Sequence, residues 1–127
     1  MLYTSYFANL HNIPDEIVPI AICGDLPDDY KGLQYRRLGP RFVFYTKWLQ
    51  DHNNEEFTQE YKRLVLEGRS AKSVVEDLYS LSKGKDVVLI CKEKPDEFCC
   101  RHLLADWLCN NGYNCVEFDR EQYEKNK

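Results

Sequence analysis

An α/β domain with a small Rossmann-like sheet, largely parallel and flanked by helices, is the fold this sequence predicts. The first observation is the run "DVVLIC", Asp86 to Cys91, apolar at successive positions as in a strand buried on both faces of a parallel sheet. The second is the order of the segments after that run: a stretch of helical period and then a short strand, as in a β-α-β unit with a parallel pair and a right-handed crossover. The third is length. A chain of 127 residues can bury one real core but not two, so residues 1–118 are assigned to one domain and 119–127 to a charged C-terminal tail.

In chain order, "MLYTSYF" carries β-formers in near alternation and predicts a first strand. "IVPIAIC" (Ile17 to Cys23) predicts a second, more buried strand, with Pro19 suited to a strand start or edge. Gly24, Asp25, Pro27, Asp28 and Asp29 break the chain, and the residues up to Pro40 have no strong period and read as an ordered loop. "FVFYTKWLQ" favours a helix after Pro40. "NEEFTQEYKRLVLEG" is a helix with Asn54 as cap and Gly68 as stop, and Ser70 caps another that Gly84 ends. After "DVVLIC" a helix is expected from near Asp96 to Gly112, then the strand "NCVEF".

Composition excludes several classes. The residues are 43% hydrophobic and 30% charged, and no apolar run approaches the roughly 18 residues of a membrane span. "MLYTSYFANLHNIPDE" has neither a basic n-region nor a long apolar h-region, so a signal peptide is not predicted and a cytoplasmic location is expected. Six cysteines in a chain of this size, without an export signal, are expected to be reduced thiols. A net charge of −4 argues against a broad nucleic-acid footprint. The one local basic patch joins Lys31, Arg36, Arg37 and Arg41 to Tyr30 and Tyr35.

Chemistry concentrates in "VVLICKEKPDEFCCRHLLADWL", Val87 to Leu108. In open α/β sheets ligands collect beyond the carboxyl ends of strands, where helix N-termini point their free N–H groups. Cys91 falls at such a strand end, with Cys99, Cys100 and Arg101 in the first turn of the next helix. Leu103, Leu104, Trp107 and Leu108 mark that helix's apolar face, and Cys100 lies at its centre, so Cys100 is expected to point inward. Cys99, beside a guanidinium at a helix start, is the better nucleophile, although Asp96 and Glu97 oppose a lowered pKa. Arg101 can hold an anion with its planar fork, or pair with Glu93, Asp96 or Glu97. His102 is expected to form a solvated pair with Asp106. No C-x-x-C or H-x-x-x-H spacing exists, so no metal site is assigned, and no phosphate loop or nucleophile elbow is present.

These same residues carry a resemblance. "LICKEKPDEFCCRHLLADWL", with "YTSYF", "PIAIC", the P-x-x-Y-K-G-L segment and the later "LGP", resembles the bacterial and viral proteins of the domain of unknown function 488 family. The likeness runs from Tyr3 to about Phe118, and its most specific part is Cys91, Glu93 and Lys94 followed by Phe98, Cys99 and Arg101. Where that family usually has a histidine between cysteine and arginine, this chain has Cys100. The resemblance implies a compact α/β fold with a pocket at this loop, and no established activity.

The favoured expectation is a binding module for a small anionic, nucleotide-like ligand at the carboxyl edge of the sheet. Its ligand-binding set is Arg101, Cys99, Cys100, Phe98, Lys94, Tyr6, Tyr35 and Ser5, with no cofactor. The alternatives are a thiol- or hydrolase-type enzyme acting on a nucleotide or nucleic acid, with Cys99 the only catalytic candidate, and a nucleic-acid or protein interaction module using the basic patch. Nucleic acid is not the favoured partner, no membrane partner is expected, and a homodimer using Trp48 and Phe44 is left open.

Overall fold

The computed structural model describes residues 1–24, 26–92 and 97–126. Among these residues five strands form one sheet: β1 (Leu2–Tyr6), β2 (Ile17–Ala21), β3 (Leu33–Gln34), β4 (Asp86–Cys91) and β5 (Cys115–Glu117). Their spatial order is β3-β2-β4-β1-β5, and every pairing is parallel. Helices α1 (Phe42–Asp51), α2 (Asn54–Tyr61), α3 (Ala71–Leu81), α4 (Cys100–Asn110) and α5 (Arg120–Lys125) flank the sheet. The chain is a small α/β domain, as its apolar central strand predicts. Among the described residues no helix is long and apolar enough to cross a membrane.

The period of two in β4 sorts its side chains between two cores of unequal size. Val87, Leu89 and Cys91 enter the larger, which α1 to α4 cover with Phe44, Phe57, Val74, Leu78, Leu104 and Leu108. Val88 and Ile90 enter the smaller with Ile17 and Phe118, under a 3-10 turn (Phe7–Asn12) and α5. Burying each such aliphatic side chain contributes about 1.5–3 kcal/mol. With helices of length on one face only, that face is where a cavity can form between helix and strand ends.

The structure departs from the sequence expectations in definite places. β4 and β5 are not neighbours: β1 lies between them, its Leu2 aligned with both Val87 and Cys115. Hydrophobic period cannot reveal that insertion, because the N-terminal strand reads the same in any slot. The region before Pro40 is not featureless; Leu33 and Gln34 pair with Ile20 and Ala21, and a 3-10 turn (Arg36–Leu38) buries Leu38. Because β3 pairs only with those two residues, one side of β2 is an edge at Pro19, where a missing N–H is tolerated. Asn53, rather than Asn54, caps α2 by accepting the Glu56 N–H. Beyond Tyr61 the helix widens into one π-type turn, closed by the Glu67 N–H donating to the Lys62 carbonyl at 2.7 Å. The charged tail is itself helical, with the Asp119 carboxylate accepting the N–H groups of Glu121 and Gln122.

α4 begins at Cys100, with Cys99 extended at φ −152°, ψ 146° as its cap residue, so Cys99 lies outside the first turn where it was expected. The expected start at Asp96 lies outside the described residues. At the far end the predicted stop holds: Gly112 takes φ +89°, which a residue without Cβ adopts at little cost.

Candidate functional site

A cavity of about 500 Å³ opens at the carboxyl ends of β2 and β4. The topology explains its place. These strands are neighbours, yet the chain leaves β2 toward β3 at one edge and leaves β4 toward β5 at the other, so their connections part and leave a crevice. Cys23, just past β2, and Cys91, the last residue of β4, form its floor, with Cys99 and Cys100 at the start of α4 beside them. Trp48 of α1, Phe57 of α2 and Phe98, just before α4, form an aromatic wall. Trp48 and Phe98 rings lie 5.8 Å apart, and Phe57 meets Phe98 edge-on at 5.2 Å. Lys92, Thr46, Tyr45 and the exposed ring of Phe42 complete the mouth. Gly39 sets the rim: a Cβ there would stand 2.2 Å from the Ile22 carbonyl oxygen, so only glycine lets the chain bring Pro40 to the cavity.

The floor is a cluster of sulfur. The Sγ atoms of Cys91, Cys99 and Cys100 all lie within 4.8 Å of one another, and those of Cys91 and Cys100 are 3.7 Å apart. All three residues are buried, and every cysteine of the chain is a free thiol. Hydrogen bonding within the cluster divides the thiols. Hydrogen bonds from Cys100 and Cys91 hold the Cys99 thiol well below its usual range, aided by the nearby Arg101 charge and opposed by burial. Cys91 is pushed well up by its hydrogen bonds to Cys100, Cys23 and Cys99 and by burial. Cys100 is also raised: its bond to Cys91 acts in the opposite sense, but its bond to Cys99 and its burial prevail. Of the three thiols, Cys99 is thus the one whose ionised form is favoured.

Arg101 points elsewhere. Its fully buried side chain forks onto Glu117, with Nε to Oε1 at 3.1 Å and Nη2 to Oε2 at 3.0 Å. Thr4 Oγ1 donates to the same carboxylate at 2.7 Å, and the guanidinium lies 5.7 Å from the centre of the Tyr6 ring. Burial works against the Arg101 charge, but the bonds to Glu117 and the charge of Cys99 raise its pKa above the ordinary value. This cluster fastens α4 across β1 and β5.

Of the predicted ligand-binding set, Cys99, Cys100 and Phe98 line the cavity. Arg101, Tyr6, Ser5 and Tyr35 do not. Ser5 is buried and accepts from Asn9 Nδ2 at 3.0 Å, and the Tyr35 hydroxyl donates to Asp77 at 2.6 Å, tying the loop to α3. Lys94 lies outside the described residues, as do Glu93 and Asp96, two of the partners considered for Arg101. The expected His102–Asp106 pair is not made: His102 Nε2 is shielded from solvent without a hydrogen-bond partner. Phe44 packs into the core at 5.1 Å from Phe57. In the basic patch, Arg36 Nε donates to the Gln34 side chain. Glu117, Cys23, Trp48 and Phe57 were missed. Cys23 had a signal, because "IVPIAIC" and "DVVLIC" both end in cysteine and parallel neighbours end side by side.

The family model for DUF488-N3a, described as the active DUF488-N3 subclade, matches residues 11–112. The chain belongs to the DUF488 family. The matched span reaches from before β2 to the end of α4 and so contains the cavity, all four of its thiols and Arg101, while Glu117 lies beyond it. No curated protein and no solved structure matches significantly.

Proposed function

We propose that this protein binds a small ring-bearing anion, nucleotide-like in form, in the cavity between the ends of β2 and β4. The observation that carries the reading is an aromatic wall, Trp48, Phe98 and Phe57, facing a crevice at the sheet's switch point. A planar ring gains by packing against such faces. Lys92 at the mouth and the N–H groups at the start of α4 supply positive potential for the anionic part. Arg101 acts behind the floor as a fixed charge rather than as a direct contact. The reading places the protein in a reducing compartment, the cytoplasm, where its thiols stay free. The enzyme alternative has Cys99 as its only catalytic candidate and shares the same test, since its substrate enters the same cavity.

Trp48 reports on occupancy. In a Trp107→Phe background that leaves Trp48 as the one tryptophan, a panel of nucleoside monophosphates is titrated against fluorescence. One or more are expected to quench saturably, with affinity reduced roughly two- to tenfold by Phe98→Ala, the worth of one aromatic contact. Unchanged fluorescence with every member, or quenching indifferent to Phe98→Ala, overturns the proposal.

A further inference from the structure

We propose that Cys91, Cys99 and Cys100 form a three-thiolate zinc site whose fourth position opens into the cavity. Three sulfurs from two separate elements, a strand end and a helix start, converge within 4.8 Å. In tetrahedral zinc sites Zn–S bonds of about 2.3 Å place neighbouring sulfurs about 3.8 Å apart, and the Cys91–Cys100 separation is already 3.7 Å. The third sulfur, Cys99, lies within 4.8 Å of both. Sequence spacing alone does not place them together, since adjacent cysteines diverge on a helix; they converge here because Cys99 is extended while Cys100 is helical.

Charge and access agree with this assignment. One zinc ion with three thiolates carries a net charge of about −1, and the Arg101 guanidinium next to Cys100 in sequence, though forked onto Glu117, is the nearby positive charge. All three ligands line the cavity, so the fourth position faces open space, where a water or a ligand atom can bind. Cys23, hydrogen-bonded to Cys91, also lines the cavity. Each Zn–S bond forms from the sulfur's electron pair, and any proton that sulfur carries leaves to solvent. Cys100, between Cys99 and Arg101, supplies one of the three sulfurs. The inference goes beyond ligand binding and does not rest on it, though zinc would occupy the electron pair that a nucleophilic Cys99 needs.

The test uses the whole chain, reduced and freed of metal, with zinc alone as probe. Native mass spectrometry is expected to show one zinc per chain at equimolar metal, and cobalt in its place is expected to give the thiolate charge-transfer and tetrahedral d–d bands of a sulfur-rich site. Zinc should protect Cys91, Cys99 and Cys100 from iodoacetamide in the unsubstituted protein while the exposed Cys109 continues to react. Cys100→Ser, with folding checked by circular dichroism, should weaken zinc binding at least tenfold, and Cys109→Ser should leave it unchanged. Absence of stoichiometric zinc, protection confined to other cysteines, or equal affinity in Cys100→Ser and wild type overturns the proposal. Because the mapping needs no substitution, an unfolded variant would not obscure the result. Nucleotide quenching is read separately in metal-free protein, so failure of either proposal leaves the other standing.

Discussion

Two clusters meet at the start of α4, and they are built on opposite rules. On the side of β1 and β5, Arg101, Glu117 and Thr4 form a polar lock in which a buried charge is met at close range by a two-point ion pair. On the side of β2 and β4, Cys99 and Cys100, the two preceding residues, stand with Cys91 around open space and an aromatic wall. The lock spends its groups on one another and so stabilises the fold; the thiol side leaves soft sulfur and ring faces turned toward a cavity and so can receive a ligand. A helix start separates structure from chemistry within three residues.

That division is sharpest in stability. Glu117→Gln removes the charge of the carboxylate on which the buried Arg101 forks and should cost about 3 kcal/mol in urea unfolding, the lower end for a broken buried pair because Glu117 is 27% exposed. Phe98→Ala, on the cavity side, should cost less than about 2 kcal/mol, since this ring is only half-buried, while still lowering ligand affinity. A larger loss from Phe98→Ala than from Glu117→Gln would erase the distinction. Thr4→Val removes a buried hydroxyl that donates to Glu117 and should cost about 1 kcal/mol.

The two sides also differ in pH response. Cys115, beside the lock, is pushed up to about 12 by burial, with Cys109 and Glu117 adding to the effect. A raised thiol is held neutral by the fold, so its contribution is complete below the unfolded value of about 8.5 and is lost as pH rises toward the folded value. The unfolding free energy at alkaline pH should therefore fall less steeply in Cys115→Ser than in wild type, by at most about 1.4 kcal/mol per pH unit. Parallel slopes in the two proteins would contradict this origin. The smallest effect is expected at Tyr35→Phe, which breaks the bond to Asp77 outside the cavity: about 1 kcal/mol or less in stability and no change in nucleotide affinity.

Much of this frame was legible in the sequence, because burial on both faces leaves a continuous apolar run and helix stops leave glycines. "DVVLIC" announced β4 and Gly112 the end of α4. The cavity was half legible: the strand end at Cys91, the thiols at α4 and Phe98 were evident, but Trp48 and Phe57 come from α1 and α2, whose packing is set by tertiary contacts. Arg101 has a partner that the sequence did not suggest: it forks onto Glu117, sixteen residues on, a β5 residue with no sequence signal of its own. The slot of β1 between β4 and β5 decides that meeting, and period-two patterning says nothing about slot.

The most direct test of the cavity is native mass spectrometry on protein purified gently from cells, set against its denatured mass and compared between wild type and a Trp48→Ala, Phe98→Ala double variant. Wild type should carry a non-covalent organic adduct that denaturation removes and the double variant lacks. A bare wild-type mass, or an adduct that survives loss of both rings, would contradict the account.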